Sequence, residues 1–459
     1  MNKKIIKSAR SITKFTPCSV DSLLGLDQIG LEALGQAFIR GGMRAGLWVI
    51  DCQKTQRDPA CGVCGCLEPR IRSSRIRWIT HTPIGQCGVV LRIRVRLYEC
   101  VHCWSTWSEN LDRVAAPGRQ LSFAAIWWAI AEISWKSKSI RACALDLYCS
   151  WATVNTAVLE TTDSILVTDP TRLDGVRVLG VDEHVWRHTS TGSRYVTVLV
   201  DLTGLRSGKS ARLLDMIEGR SEHVVSSWLA GQSRAFRDNI QVVAMDAFTG
   251  FKNASAAQLP HACDVMDPFH VVKLAADKVS QVRCRLQREE TGQRGTKNDP
   301  LYRHRRSLLK SQWLRTDKQA LAVKKLLNAY PSLKLAHDVY QRIIDCYREK
   351  NRKKARRALR ELIDALAQKG SSPHCPELAT LGRTLAKRRD DVLAYFTFAK
   401  SSNGPTEAIN GRLETLRGIA LGFRQPENYR LRSLLHSGGF TQTIRAHIHT
   451  TLHTPYTQK

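Results

Sequence analysis

The centre of the chain, from about residue 176 to residue 267, alternates short apolar stretches with stretches of helical pattern. Apolar runs of four to eight residues that are rich in valine and isoleucine are typical of buried strands. The order predicted is strand, strand, strand, helix, strand, helix and strand, and the segments are VRVLGVD, RYVTVLVDLTG, residues 208–213, SEHVVSSWLA, IQVVAMD, TGFKNASAAQL and ACDVMD. This pattern predicts an α/β fold built around one sheet.

Three strands followed by alternating helices and strands is the element order of ribonuclease-H-like folds. Two of the predicted strands end in an aspartate, Asp182 in LGVDEH and Asp246 in VAMDAF. Mg²⁺ prefers carboxylate oxygen, and two such ions about 3.5–4 Å apart can activate a water and stabilise the leaving oxygen of a phosphodiester. Aspartate is also common in turns after strands. Glu183 points to the opposite side of the strand from Asp182 and is left outside the site.

A third acidic residue is expected in SSNGPTEAINGRLETLRG. Ser402 or Asn403 is a plausible helix cap, with Pro405 in the first turn. Three polar residues then fall on one helix face, namely Glu407, Asn410 and Glu414. An acidic residue early in a helix is also ordinary compensation of the helix dipole, so Glu407 alone does not indicate a metal ligand.

Two pairs of cysteines near the N-terminus predict a zinc site, CGVC with Cys61 and Cys64 and CVHC with Cys100 and Cys103. Two such turns can bring four thiolates to the corners of a tetrahedron, as structural zinc requires. The interval between the pairs is longer than usual, but a β-hairpin of residues 71–79 and 91–98 fills it. Plain buried cysteines are the alternative, and rival ligands are Cys52, Cys66, Cys87 and His102.

The second strand of that hairpin, LRIRVRLY, alternates aliphatic residues with Arg92, Arg94 and Arg96. A period of two puts the arginines on one solvent face, which suits contacts with phosphates. A solvated strand face without a ligand is the alternative.

Three helices are predicted next, in FAAIWWAIAEI, SIRACALDLY and WATVNTAVLE. The short break before Ser150 resembles the turn of a helix-turn-helix, and the Ser150 hydroxyl can cap the third helix. Polar groups for base edges or phosphates would come from Thr153, Asn155 and Thr156. A three-helix packing unit without a DNA-binding role fits the same pattern.

Composition favours a nucleic-acid partner. The 459 residues include 70 Lys and Arg against 41 Asp and Glu, a net charge of +29. Basic surface on this scale attracts polyanions. No apolar run approaches the roughly 18 residues that span a membrane, and the basic start lacks the apolar segment of a secretory signal. We therefore expect a cytoplasmic protein without a membrane partner.

The chain resembles the DDE transposases of bacterial insertion sequences, specifically the ISL-three-type family, over roughly residues 50–440. The resemblance rests on the paired cysteines with the helices after them, and on GVDEH, VAMDAF, DPFHVVK and NGPTEAINGRLETLRGIALGFRQPENYRLR. It implies a DDE triad of Asp182, Asp246 and Glu407 that binds two Mg²⁺ (or Mn²⁺) ions. It also implies accessory roles for His270, Asp267 and Asn410, although a buried structural histidine is an alternative for His270.

The function implied is a DNA transposase that binds terminal inverted repeats and target double-stranded DNA as a homo-oligomer, expected to be a dimer, in the bacterial cytoplasm near the nucleoid. A DNA-binding regulator with an inactive core, or a nuclease without strand joining, is the alternative. The predicted division is a helical segment at 1–50, a zinc ribbon at 51–112, a helix-turn-helix at 118–162, a ribonuclease-H-like core at 175–270, a helical insertion at 271–400, the last part of the core with Glu407 at 401–440 and a tail at 441–459.

Overall fold

The structure, a computed structural model, describes residues 19–42, 45–56, 60–187, 193–293, 295–368, 370, 374–398 and 401–453. The chain divides into two compact units. Unit 1 is drawn from Met1–Arg172 and Gly418–Lys459, and unit 2 is Leu173–Arg417. Within the described residues, no helix has both the length and the apolar character that crossing a membrane requires.

A five-stranded sheet forms the centre of unit 1. The predicted hairpin is confirmed: β3 and β4 are antiparallel, and β2 runs parallel to β4 on its other side. The sheet order is β1-β2-β4-β3, with β5 paired to β4. The strands are β1 (Leu31–Ile39), β2 (Leu47–Lys54), β3 (Pro69–Ile84), β4 (Cys87–Cys100) and β5 (Thr106–Ser108).

The prediction of a helical segment at 1–50 is wrong for most of its described part. Only α1 (Val20–Leu24) and a 3-10 turn at Asp27–Ile29 are helical, and β1 and β2 follow as an antiparallel pair. Most of β1 is exposed, and its register shifts between Ala33 and Gly35, so the strand lacks the alternation that sequence reading depends on. The sheet therefore begins before residue 51, the predicted start of the zinc ribbon. Residues 1–18 lie outside the described residues.

Three helices follow the sheet, as predicted: α2 (Phe123–Lys136), α3 (Ile140–Asp146) and α4 (Trp151–Thr161). Each begins at a serine whose hydroxyl accepts a backbone N–H, and Ser150 caps α4 through Thr153 at 3.1 Å. A π-helical turn at Thr162–Val167 continues α4.

The five strands of unit 2 have the order β10-β9-β6-β7-β8. β7 is antiparallel to both of its neighbours, whereas β9 and β10 run parallel to β6. The third strand begins at residue 212 instead of 208, because a 3-10 turn at Thr203–Ser207 ends at Gly208 in the left-handed conformation. The strands are β6 (Val178–Val185), β7 (Tyr195–Asp201), β8 (Arg212–Glu218), β9 (Val242–Met245) and β10 (Cys263–Met266).

Helices α5 (Glu222–Ala230), α6 (Arg234–Asn239) and α7 (Thr249–Gln258) pack on this sheet. Their apolar residues share a buried core with those of β6 and β9. The predicted order of strands and helices is therefore observed, with α6 as an addition.

The region after β10 is helical, as predicted for 271–400, and it has a core of its own. Asp267 caps its first helix, and residues 268–291 form one long helix. The helices are α8 (Pro268–Thr291), α9 (Pro300–Arg303), α10 (Arg305–Leu308), α11 (Asp317–Ala329), α12 (Pro331–Arg348), α13 (Arg352–Ala367), α14 (Pro376–Lys387) and α15 (Arg389–Ala394).

The last three helices are α16 (Gly404–Ile419), α17 (Pro426–Ser437) and α18 (Thr441–His453). Residues from Gly418 onward group with unit 1, which corrects the assignment of 401–440 to the core. The reason is that α17 is buried against α2 through its leucines, and the Ser134 hydroxyl donates to the Leu435 carbonyl at 3.0 Å.

Candidate active site and metal centre

Asp182 lies in the middle strand of the unit 2 sheet, between β9 and β7. The residue is only 7% exposed. Its Oδ1 accepts a hydrogen bond from the backbone N–H of Glu183 at 2.9 Å, and its Oδ2 accepts one from Nδ2 of Asn410 at 3.1 Å. Burial raises the pKa of Asp182 to about 7, and the charges of Asp246 and Glu407 act in the same direction. A cation beside this carboxyl would favour its ionised form.

Asp246 directly follows β9, which is parallel to β6 with Met245 opposite Val181. This register places Asp246 beside Asp182, although β6 continues to Val185 and Asp182 therefore does not end its strand as the sequence predicted. Its Oδ1 accepts the backbone N–H of Phe248 at 2.8 Å. Burial also raises the pKa of Asp246. Two desolvated carboxyls thus act on each other at this edge.

The start of α8 brings His270 to the same edge. Asp267 caps the helix, because its Oδ2 accepts the backbone N–H of Phe269 at 3.0 Å, and this oxygen lies 3.5 Å from Nδ1 of His270. Burial disfavours the protonated imidazole, but Asp267, Asp246 and Asp182 together raise the pKa of His270 above its ordinary value. His270 therefore carries a positive charge more readily than a free histidine.

Asn403 connects the three segments that meet here. This residue precedes α16 and is 1% exposed. Its backbone N–H donates to Oδ1 of Asp267 at 2.6 Å, and its Nδ2 donates to the carbonyl of Val181 at 3.0 Å. Its Oδ1 accepts the Thr406 hydroxyl at 2.8 Å, and its carbonyl accepts the N–H of Glu407 at 3.1 Å. The side chain of Asn403 thereby fixes the start of α16 against β6, and its backbone N–H fixes it against the cap of α8.

Gly180 allows this close approach. A Cβ at this position would lie 2.9 Å from Oγ1 of Thr406, 2.9 Å from Cδ1 of Leu202 and 3.2 Å from Oδ1 of Asn403. Since real Cβ atoms do not show contacts below 3.0 Å, the side chains of Leu202 and Thr406 would have to move to admit a larger residue. The glycine two positions before Asp182 is therefore part of the packing of the site.

Glu407 lies in the first turn of α16 and is exposed. On the same helix, Oδ1 of Asn410 is buried and has no hydrogen-bond partner among the described residues. Asp182, Asp246 and Glu407 do not form a group whose oxygens all lie within 4.8 Å of one another. Carboxylates that flank two ions need not be so close. The potential metal ligands are the carboxylate oxygens and Oδ1 of Asn410, which accepts no hydrogen bond from the described residues. A set of oxygen ligands fits a hard divalent cation.

A buried ion network joins the helical region to the loop that carries Asp246. The two carboxylate oxygens of Asp391 accept hydrogen bonds from Nζ of Lys252, at 2.7 Å for Oδ1 and 2.6 Å for Oδ2. The same carboxylate forms an ion pair with Nε of Arg388. Nη1 of Arg388 donates to the carbonyl of Ala247 at 3.4 Å, while its buried Nη2 has no partner within the described ranges. The positive charge of Arg388 opposes the rise in the pKa of Asp246 that burial causes.

These structural residues were not predicted from the sequence as parts of the site. Asn403 was predicted only as a possible helix cap, and neither Arg388 nor Asp391 was singled out. Glycine at position 180 gave no signal, because only the approach of α16 makes it necessary.

The four predicted zinc ligands come together in unit 1. The Sγ atoms of Cys61 and Cys103 are 3.5 Å apart, and those of Cys64 and Cys100 are 3.4 Å apart. All four sulfurs lie within 4.8 Å of one another, and in the described part of the chain this is the one such group of three or more potential ligands. Hydrogen bonding with Ser105 lowers the pKa of the Cys61 thiol to about 6. A closed set of four thiols fits structural zinc.

The rival ligands lie outside this group. Cys52 is fully buried in the core of the sheet, where burial raises the pKa of its thiol to about 12. The others are Cys66, Cys87 and His102, none of which belongs to the four-sulfur cluster.

The arginine face of β4 differs from the prediction. The alternation is present, since Leu91, Ile93 and Val95 are buried. However, Arg92 pairs with Asp51 at 2.6 Å, and Arg96 is largely buried and pairs with Glu109 at 2.9 Å. Carboxylates from outside β4 therefore occupy these two arginines, and only Arg94 of the three is exposed as predicted.

The polar residues of α4 lie partly on an open surface. Thr153 and Thr156 line a cavity of about 540 Å³ between α2 and α4, and Asn155 lies outside this lining. Thr156 is exposed, whereas Thr153 and Asn155 are half-buried. The Thr153 hydroxyl lies 2.8 Å from the capping hydroxyl of Ser150.

Comparisons with known proteins bear on both units. The family model DDE_Tnp_ISL3, described as a transposase, matches residues 179–433. Among solved structures, the chain is similar to the "Drosophila P element transposase strand transfer complex", with a TM-score of 0.40 and 13% sequence identity. That match covers 72% of this chain and 95% of the other. No curated protein matches the chain.

Proposed function

Because the chain belongs to the DDE_Tnp_ISL3 family of transposases, we propose that it cuts DNA at the ends of its own insertion sequence and joins the freed 3′ ends to target DNA. The observation that carries this proposal is the meeting of Asp182, Asp246 and the start of α16 at one edge of the unit 2 sheet. Electrostatic coupling of Asp182 with both Asp246 and Glu407 supports a shared site for cations.

The catalytic core is proposed to be ribonuclease-H-like. Three antiparallel strands followed by two parallel ones, in the order β10-β9-β6-β7-β8, support this assignment. Helices α8 to α15 then form an insertion between β10 and α16. The chain leaves the sheet after β10, forms the insertion and comes back to the sheet at α16. Glu407 is therefore distant from Asp182 in sequence but is proposed to lie at the same edge of the sheet.

The proposed ligands of Mg²⁺ or Mn²⁺ are Asp182, Asp246 and Glu407. When bound, such ions supply Lewis acidity toward a phosphodiester. Asn410 orients Asp182 by donating a hydrogen bond to its Oδ2. Oδ1 of Asn410, which has no partner among the described residues, would bind a cation or a water held by the cation. His270, with its raised pKa, would donate to a phosphate oxygen. Asp267 acts through Asn403 and His270, and is a positioning residue.

Recognition of the terminal inverted repeats is proposed for unit 1. The cysteine cluster would hold structural zinc and fix the turns at the end of the β3–β4 hairpin. Helices α3 and α4 would act as a helix-turn-helix, with contacts to DNA from Thr153, Asn155, Thr156 and the exposed Arg94. Arg92 and Arg96 would have to leave their ion pairs to bind phosphates.

Two protomers are proposed to act on the two ends of the element, in the cytoplasm where its DNA lies. The basic helices of the insertion would bind the flanking DNA. The net charge of +29 supports a polyanionic partner for the whole chain.

The test is a cleavage and joining assay on a duplex that contains one end of the element, with and without Mg²⁺, for the wild type and Asp182→Asn. We expect Mg²⁺-dependent cutting and recombined products for the wild type alone, with tight end binding by both. Equal inactivity with tight binding would favour a DNA-binding regulator. Cutting without recombined products would favour a nuclease.

A further inference from the structure

Arg432 is a buried arginine without a counter-ion. It lies on α17, in the GFRQPENYRLR segment whose role the cation site does not explain, and it is 4% exposed. Its Nε is enclosed without an acceptor. Across the described ranges of the chain, Arg432 makes no hydrogen bond or ion pair. A guanidinium carries five N–H donors and is seldom buried without acceptors.

The surroundings in unit 1 do not neutralise this charge. Burial lowers the pKa of Arg432 to about 10, so the group is still charged at neutral pH. The titratable group that acts on it is the Cys143 thiol, whose own pKa is raised to about 12 by burial. A neutral thiol is no counter-ion. An unpaired buried charge is costly unless another group compensates it.

The carboxylates nearest to Cys143 already have partners. Glu132 pairs with Lys136 and lies 3.5 Å from Lys138, and Asp146 pairs with Lys138 as well. None of these acidic groups acts on Arg432. No carboxylate of the described residues therefore compensates the charge of Arg432.

Further donors without acceptors lie on the same helix. The hydroxyls of Ser433 and Ser437 are buried and have no hydrogen-bond partner in the described part of the chain. The same holds for the Thr162 hydroxyl, on the π-helical turn that packs against α17. Buried polar groups are normally paired, so each of these hydroxyls lacks a partner that a folded protein usually supplies.

We propose that Arg432 binds a phosphate group. Guanidinium and phosphate match in geometry and charge, and a chain with a net charge of +29 is adapted to polyanions. A backbone phosphate of DNA and inorganic phosphate share this chemistry. The DNA form of the proposal rests on the proposed function, whereas binding of inorganic phosphate does not.

The test compares full-length wild type with Arg432→Met, which removes the charge and retains most of the volume. In the first arm, thermal unfolding is followed in chloride buffer and after adding inorganic phosphate at constant ionic strength. In the second arm, binding of an end-containing duplex is measured against salt concentration. Arg430→Met on the same helix, which breaks an ion pair with Glu427, is the matched control.

We expect Arg432→Met to unfold in chloride at a temperature equal to or above that of the wild type, since it removes an uncompensated charge. If the phosphate belongs to DNA, the slope of log Kd against log salt falls by about 1. If inorganic phosphate binds, phosphate stabilises the wild type but not Arg432→Met. Arg430→Met is expected to respond to phosphate as the wild type does.

Two results overturn the proposal. One is an unchanged salt slope together with an unchanged response to phosphate in Arg432→Met. The other is an equal change in the Arg430→Met control. If the wild type does not bind the duplex, the proposed function fails, but the phosphate arm still decides the role of Arg432. If Arg432→Met does not fold, Arg432→Lys is used in its place: a weaker phosphate response than that of the wild type supports the proposal, and an equal one contradicts it.

Discussion

The two candidate metal sites are built in opposite ways. The cysteine site takes its ligands from the turns at one end of a single antiparallel hairpin, and its four sulfurs lie within 4.8 Å of one another. The carboxylate site draws on β6, the end of β9, α8 and α16, and its three carboxylates do not form such a tight group. The first arrangement is closed and suits an ion that holds a fold together, whereas the second is as loose as carboxylates that flank two ions can be.

The energetics of the two sites differ as well. Folding brings Asp182 and Asp246 into a buried environment that raises the pKa of each. Such carboxyls oppose folding when they are ionised. In the cysteine site the shifts are divided, and hydrogen bonding with Ser105 lowers the pKa of the Cys61 thiol. The pKa of the Cys64 thiol is raised, because a backbone hydrogen bond from Cys66, which lowers it, is outweighed by hydrogen bonds with Cys100 and Cys103.

The largest expected effect separates two glutamates on α16. Glu407→Gln should reduce cleavage of an end-containing duplex by about 10³-fold or more, since it removes a proposed ligand. The control is Glu414 on the same helix, which forms an ion pair with Arg417. Glu414→Gln should cleave at close to the wild-type rate. The measurement is the single-turnover cleavage rate of each variant relative to that of the wild type. Equal loss in both variants would mean that Glu407 has no special role.

The next effect concerns zinc. Cys100→Ser should lower the bound zinc and the Tm of the protein, because it removes one of four clustered ligands. The matched control is Cys87→Ser at the other end of β4, which should keep its zinc. Elemental analysis and thermal unfolding measure both. Loss of the same amount of zinc from Cys87→Ser would contradict the assignment.

A smaller effect is expected at Asn403. Asn403→Ala removes the side-chain hydrogen bonds that fix α16 against β6, so cleavage should fall about 10- to 100-fold while duplex affinity is retained. Asn253→Ala, which removes an exposed bond to Glu222, should have no effect on cleavage. If both variants cleave as the wild type does, Asn403 is not needed to position the site.

The smallest effect is expected at Arg388. Arg388→Met should lower the Mg²⁺ concentration needed for half-maximal cleavage several-fold, because it removes a positive charge that acts on Asp246 and would repel a divalent cation there. Arg388→Lys should restore part of the wild-type behaviour. A fall in Tm without any change in the Mg²⁺ requirement would show that Arg388 only supports the fold.

The comparison of the two sites also explains what the sequence could predict. The cysteine pairs, the hairpin and the aspartate that follows β9 depend on local spacing, and the structure contains each of them. Asp182 was predicted to end its strand, but β6 continues to Val185. Arg96 was predicted to face solvent, but Glu109 covers it, and a partner from another segment is invisible to a local pattern. The strand β1 was missed because its burial does not alternate.

The positioning residues of the carboxylate site could not be predicted from local sequence patterns for the same reason. Asn403 acts through contacts to Val181 and Asp267, which lie far from it in the sequence. Arg388 depends on Asp391 nearby but also on Lys252 and Ala247 from another segment. Their importance follows from the packing of unit 2 and not from their spacing.

The most direct test of the central claim is to count the cations that the carboxylate site binds. Mn²⁺ bound to the zinc-loaded protein on an end-containing duplex is measured by electron paramagnetic resonance, for the wild type and for Asp182→Asn. We predict two Mn²⁺ ions per chain in the wild type and a clear loss in Asp182→Asn, with the zinc content unchanged. Equal Mn²⁺ binding by the two proteins would contradict a cation site at Asp182.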